Sequence, residues 1–129
     1  MERQKFEEMV VKAVTELPQE FQEKLENVDV VVEDLPSARQ LRKLRVRQGD
    51  QLLGLYEGVP QIMRGQGYTL VLPDKITLFQ KAIESRCRND SELETEIGEV
   101  IRHEIAHHFG IGDAALRRIE SRKARKKQR

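Results

Sequence analysis

The sequence predicts an α+β fold: a small mixed β-sheet packed against an N-terminal helix and a second helix that carries the chemistry. Three observations predict it. Apolar residues recur at helical spacing over residues 6–17 and again over 93–105. Between these stretches lie short β-branched or apolar runs, at 28–33, 52–56 and 75–80. With 129 residues, 38% hydrophobic and 35% charged, the chain has material for one core, a single helix layer on one sheet.

Taken in order, Phe6, Met9, Val10, Ala13, Val14 and Leu17 define the first amphipathic helix. Pro18 opens a short second helical turn, with Phe21 and Leu25 facing inward. Residues 28–33 read as a buried strand. Residues 37–49 carry Arg39, Arg42, Lys43, Arg45 and Arg47 and end at Gly49-Asp50, a solvated loop or short helix. Residues 52–56 read as a second strand, and Gly58, Pro60, Gly65 and Gly67 mark a loop. Residues 68–72 and 75–80 could pair across Pro73-Asp74. Ser91 with Glu94 reads as a capping box that opens a helix over 91–109. Leu93, Ile97, Val100, Ile101 and Ile105 form its apolar stripe, and Glu92, Glu96, Glu99 and Arg102 its wet side. A basic helical or disordered tail, residues 114–129, follows the domain of residues 1–113.

The second helix carries His103-Glu104-Ile105-Ala106-His107, then Gly110 and Asp113, the pattern H-E-x-x-H-x-x-G-x-x-D. Histidines four apart lie about 40° apart around a helix, so both imidazoles can reach one metal ion. Glu104 follows the first of them and can face the same ion without binding it, placed to take a proton from a water there. Glu104 and His108 project into the apolar stripe, with His103 and His107 flanking it. A carboxylate on the buried side of a helix is rarely left unpaired, and a metal site explains one.

A hydrolytic zinc site takes three protein ligands and leaves a fourth position open. After His108 there is no histidine or cysteine; Asp113 and Glu120 are the acidic residues downstream. Gly110 suits a left-handed C-cap that turns the chain back, so Asp113 can swing toward the metal, with Glu120 in reserve. Asp113 also suits the N-cap of a following helix.

At this point the chain resembles the short bacterial zincin-like metallopeptidases. The resemblance rests on the run from His103 to Asp113, including His107-His108-Phe109-Gly110. It extends to Asn27-Val28 through Glu33-Asp34-Leu35-Pro36, to the run from Leu53 to Pro60, and to the run from Leu72 to Phe79. It implies a minimal zincin-like domain with one zinc per chain on His103, His107 and Asp113, and Glu104 as catalytic base. It implies zinc-dependent hydrolysis of peptide or protein substrates. Met1, Met9 and Met63 all precede the motif, so no methionine turn can follow Asp113, and a shallow cleft is expected. Zincins hold an extended peptide on an edge strand, for which 75–80 is the candidate. Tyr56 and Glu57 are candidates for the cleft, Tyr56 as a donor to a developing oxyanion. His108, about 100° round from His107, belongs at the rim or behind the ligands.

Two other classes stand beside this reading: a metal-dependent nuclease, and a zinc-binding module without catalysis. Residues 114–129 hold eight Lys or Arg against Glu120 alone, while the formal net charge is +1. That tail would suit a phosphate backbone. The nuclease pattern typically uses a third histidine downstream and does not need the glutamate; here no histidine follows His108 and Glu104 is present, so nucleic acid is expected to bind only non-specifically. Cys87 is the single cysteine, no run is long and apolar enough to span a membrane, and the charged N-terminus lacks a signal-type segment. A cytoplasmic location is the expectation. The sequence is silent on oligomeric state.

Overall fold

A strand with no exposed apolar side chain lies at the centre of the chain. A computed structural model describes residues 1–43, 51–58 and 73–127; the side chains of Lys43, Asp113 and residues 122–127 lie outside the described set. In strand β3 (Asp74–Phe79) Ile76, Thr77, Leu78 and Phe79 are all 0% exposed, and burial on both faces demands a central position. Strand β1 (Val28–Glu33) pairs with it in parallel, from Val28 opposite Asp74 to Glu33 opposite Phe79. Strand β2 (Gly54–Glu57) pairs with its other side antiparallel, from Gly54 opposite Leu78 to Glu57 opposite Lys75. The three-stranded mixed sheet therefore has the order β1-β3-β2.

Two expectations change. The 28–33 strand has its expected bounds but lies at the sheet edge and is only half-buried, with Asp29 exposed among the valines. The 75–80 run is not an edge strand: it pairs on both sides, and Gln80 already belongs to the next helix. The loop around Pro60 to Gly67, the 68–72 run, its pairing across Pro73-Asp74, and residues 44–49 fall outside the described residues.

Helix α1 (Arg3–Thr15) buries Phe6 and Val10, and Met9, Ala13 and Val14 pack beside them, as the spacing predicts. It stops before Pro18, whose ring disfavours helical backbone at Leu17. The Gln22 amide donates to the Thr15 and Leu17 carbonyls at 2.9 and 2.8 Å, satisfying groups the helix end leaves open. Helix α2 (Gln19–Lys24) buries Phe21 completely. Helix α3 (Ala38–Lys43) begins at a reciprocal cap, Ser37 N–H to Gln40 Oε1 at 2.8 Å and Gln40 N–H to Ser37 Oγ at 3.1 Å. Helix α4 (Gln80–Glu84), which the sequence did not announce, follows β3 directly.

The long helix α5 (Asp90–Phe109) crosses the sheet face beside α1 and packs on β2 and β3. Leu93, Ile97, Val100, Ile101 and Ile105 are all buried on it, matching the expected stripe. Each such side chain contributes about 1.5–3 kcal/mol. The exposed Lys12–Glu94 ion pair at 3.3 Å, between α1 and α5, is worth about 1 kcal/mol at most, so the contact rests on the core. Helix α6 (Asp113–Lys127) starts the basic stretch, and its Leu116 and Ile119 lie in the same core cluster. No described helix is long and apolar enough to cross a membrane.

Candidate metal centre

The site is built on the last two turns of α5. The helix opens at Asn89, whose side chain accepts from the Glu92 N–H at 2.9 Å. The expected Ser91–Glu94 box is therefore displaced: asparagine caps as well as serine, and Glu94 reaches instead to Lys12. The helix closes at Gly110, in the left-handed region with φ 69°. Ile111 N–H donates to Ala106 O at 2.8 Å and Gly110 N–H to His107 O at 3.4 Å, the double closure that a left-handed cap makes. This is the expected reversal after the motif.

His103 is exposed, and its Nδ1 lies 2.8 Å from the Glu99 carbonyl oxygen. A carbonyl only accepts, so Nδ1 carries the proton and Nε2 keeps its lone pair when the ring is neutral. Such a contact is the usual way a metal-binding histidine is held. The His107 ring stands 6.5 Å from it, centroid to centroid, at 71°. Glu104 lies on the buried side, its side chain 19% exposed and Oε2 3.9 Å from His107 Nδ1. Burial raises its pKa from 4.5 to about 7, against a smaller opposing pull from His103.

The burial of Glu104 has a visible source. A Cβ at Gly54 would meet Val100 Cγ1 at 2.6 Å and Glu104 Cγ at 3.4 Å, so only glycine lets β2 lie this close to the motif. Tyr56 stacks on His108 with centroids 3.8 Å apart at 15°, and its hydroxyl donates to Asp74 Oδ2 at 2.8 Å. That commits the phenol proton to Asp74, so the expected donation to an oxyanion is not what this arrangement offers. Residues alternate along β2, and Gly54 and Tyr56 face α5. Glu57 therefore faces away from the helix, its carboxylate 3.9 Å from Lys75. His108 lies at the rim, against Tyr56.

Gly112 O accepts from Leu116 N–H at 2.9 Å, so Gly112 holds the cap position of α6 and Asp113 is its first helical residue. The Asp113 side chain lies outside the described residues. Among the described residues no three ligand-type side chains converge on one point. Glu120, the reserve ligand, is engaged elsewhere: its Oε1 lies 3.5 Å from Arg102 Nε. The residues present suit zinc, a borderline-soft ion that takes neutral imidazole and carboxylate together. Sequence reasoning missed Asn89 and Asp74, and it placed Arg102 on the wet side of the helix, whereas its side chain is only 16% exposed and lies over the mid-helix Gly98.

A family model described as zincin-like metallopeptidase matches residues 25–123, from the end of α2 into α6. The chain belongs to the zincin-like metallopeptidase family. Its members bind zinc, and His103, Glu104, His107 and Asp113 all fall within the matched span. Among solved structures, a conserved hypothetical protein from Thermo thermophilus shares this zincin-like fold, with a TM-score of 0.54. The two are 22% identical, over 84% of this chain and 94% of that one. No curated protein matches the chain.

Proposed function

We propose that this zincin-like chain is a zinc-dependent peptidase, with one zinc held by His103, His107 and Asp113 and with Glu104 as general base. The observation that carries the reading is the state of the two neighbouring residues His103 and Glu104. One is locked with Nε2 free for a metal; the other is a desolvated carboxyl poised near neutral pH. Bound there, zinc supplies Lewis acidity toward water and toward the scissile carbonyl. Glu104 accepts the proton of the attacking water and delivers it to the departing nitrogen, a transfer that suits a group with a pKa near 7. Gly54 lets β2 lie against its stem, which helps to bury that carboxyl. The Tyr56–Asp74 bond and the Tyr56–His108 stack tie the last turn of α5, and with it His107, to the sheet.

The test is elemental analysis with a cleavage assay on an unstructured protein. Wild-type protein should carry one zinc and show chelator-sensitive cleavage. His107→Ala should lose both; full zinc occupancy in that variant would remove His107 from the ligand set. Zinc binding without any cleavage would favour a non-catalytic zinc-binding module.

A further inference from the structure

After the reversal at Gly110, α6 stays close enough to α5 for the side chain of Glu120 to meet that of Arg102. Arg102 immediately precedes the first histidine, and Glu120 lies two turns into the helix that Asp113 opens. Three observations make this more than a surface ion pair. The Arg102 side chain is only 16% exposed, and its Nε is shielded from solvent and forms no hydrogen bond among the described residues. Glu120, 3.5 Å away and 37% exposed, is thus the compensating charge, and removing it would strand the largely buried Arg102.

The second observation is Gly98. A Cβ there would lie 3.0 Å from Arg102 Nη1, so the guanidinium lies back over a position kept clear of side chain. Glycine in mid-helix weakens the helix, and here the space it leaves is used. The third is Ala106, about 200° round α5 from Glu104 yet 1% exposed. Leu116 and Ile119 belong to the same core cluster, so α6 is anchored in the core that buries Ala106.

We infer that Arg102 and Glu120 are positioning residues of the metal centre: their pair ties α6 to α5 and thereby sets Asp113 relative to His103 and His107. The inference rests on the proposed reading of Asp113 as third ligand. A helix transmits placement along its length, so the anchors at Leu116, Ile119 and Glu120 hold the first turn. The same pair engages the other downstream carboxylate and keeps it from competing for the ion.

A double-mutant cycle tests this, with zinc affinity read by competition with a chromogenic chelator. Circular dichroism melts confirm that each variant folds. Glu120→Gln should weaken zinc binding about tenfold, the lower range for groups that orient metal ligands. In an Asp113→Ala background the same change should cost nothing further, because it acts through Asp113. The charge reversal Arg102→Glu with Glu120→Arg should recover part of the loss. If Glu120→Gln unfolds the chain, Gly98→Ala serves instead, since it keeps both charges and displaces the guanidinium. No loss from Glu120→Gln, or equal losses in both backgrounds, overturns the inference and leaves Asp113 as ligand. A loss from Glu120→Gln exceeding that from Asp113→Ala makes Glu120 a ligand and overturns both. Zinc affinity unmoved by Asp113→Ala removes the Asp113 reading, and the inference with it.

Discussion

The two halves of α5 share one helix and one periodicity but treat charge differently. From Leu93 to Ile101 the stripe facing the sheet is apolar throughout, and the carboxylates stand outside it, Glu92 near Arg88 and Glu96 near Arg86. From Arg102 onward the stripe continues through Ile105, but a carboxyl, Glu104, is set into its edge. Among the described residues its nearest ionisable partner is His107, at 3.9 Å. On the other side of the same turn, Arg102 faces Glu120 at 3.5 Å. Where α5 is structural its half-buried carboxylates, Glu92 and Glu96, have cationic partners; where the motif lies, one is left desolvated. That cost is what a hydrolytic site needs, and the N-terminal half supplies the burial that offsets it.

A cavity in the structural half gives the largest effect on stability. Ile101→Ala should destabilise the fold by about 3 kcal/mol in urea or thermal unfolding, while zinc affinity of the folded protein stays near wild type. Lost zinc affinity with unchanged stability would erase the distinction between the halves.

Glu104→Gln should act in the opposite direction on the metal-free protein. With its pKa raised from 4.5 to about 7, Glu104 in the folded chain holds a proton that the unfolded chain has already released. Stability therefore falls as pH rises through that window, by at most roughly 3 kcal/mol. Glutamine removes this contribution, so the metal-free variant should be the more stable protein at pH 8, with a flatter pH profile of unfolding. Matching profiles would mean that Glu104 is not desolvated.

The smallest effect is expected beyond the site. Removing residues 122–129 keeps Leu116, Ile119 and Glu120, so stability should change by less than about 0.5 kcal/mol and zinc binding and peptide cleavage should persist. Weak, salt-sensitive nucleic-acid binding should disappear with those residues. Metal-dependent cleavage of tightly bound nucleic acid by the full chain would replace the peptidase with the nuclease.

What the sequence made legible was local. The spacing of Phe6 and Val10, the 28–33 strand, the stripe from Leu93 to Ile105 and the Gly110 reversal are all set by residues within a few turns of one another. The order of the sheet was not legible, because the pairing of β3 with both neighbours depends on residues far apart in the chain. The burial of Thr77, a polar residue in a short apolar run, shows only once both neighbours are in place. The site divides in the same way. His103, Glu104 and His107 follow from helical geometry. The close approach at Gly54, the Tyr56–Asp74 bond and the Arg102–Glu120 pair each join separate elements.

The most direct test of the central claim compares Glu104→Gln with wild type in one preparation, by zinc content and by rate of cleavage of an unstructured protein. Both should carry one zinc per chain, because Glu104 is read as base and not as ligand. Hydrolysis should fall by about 10²-fold or more in the variant, the scale of a lost general base. A zinc-loaded variant that cleaves as fast as wild type would contradict the account.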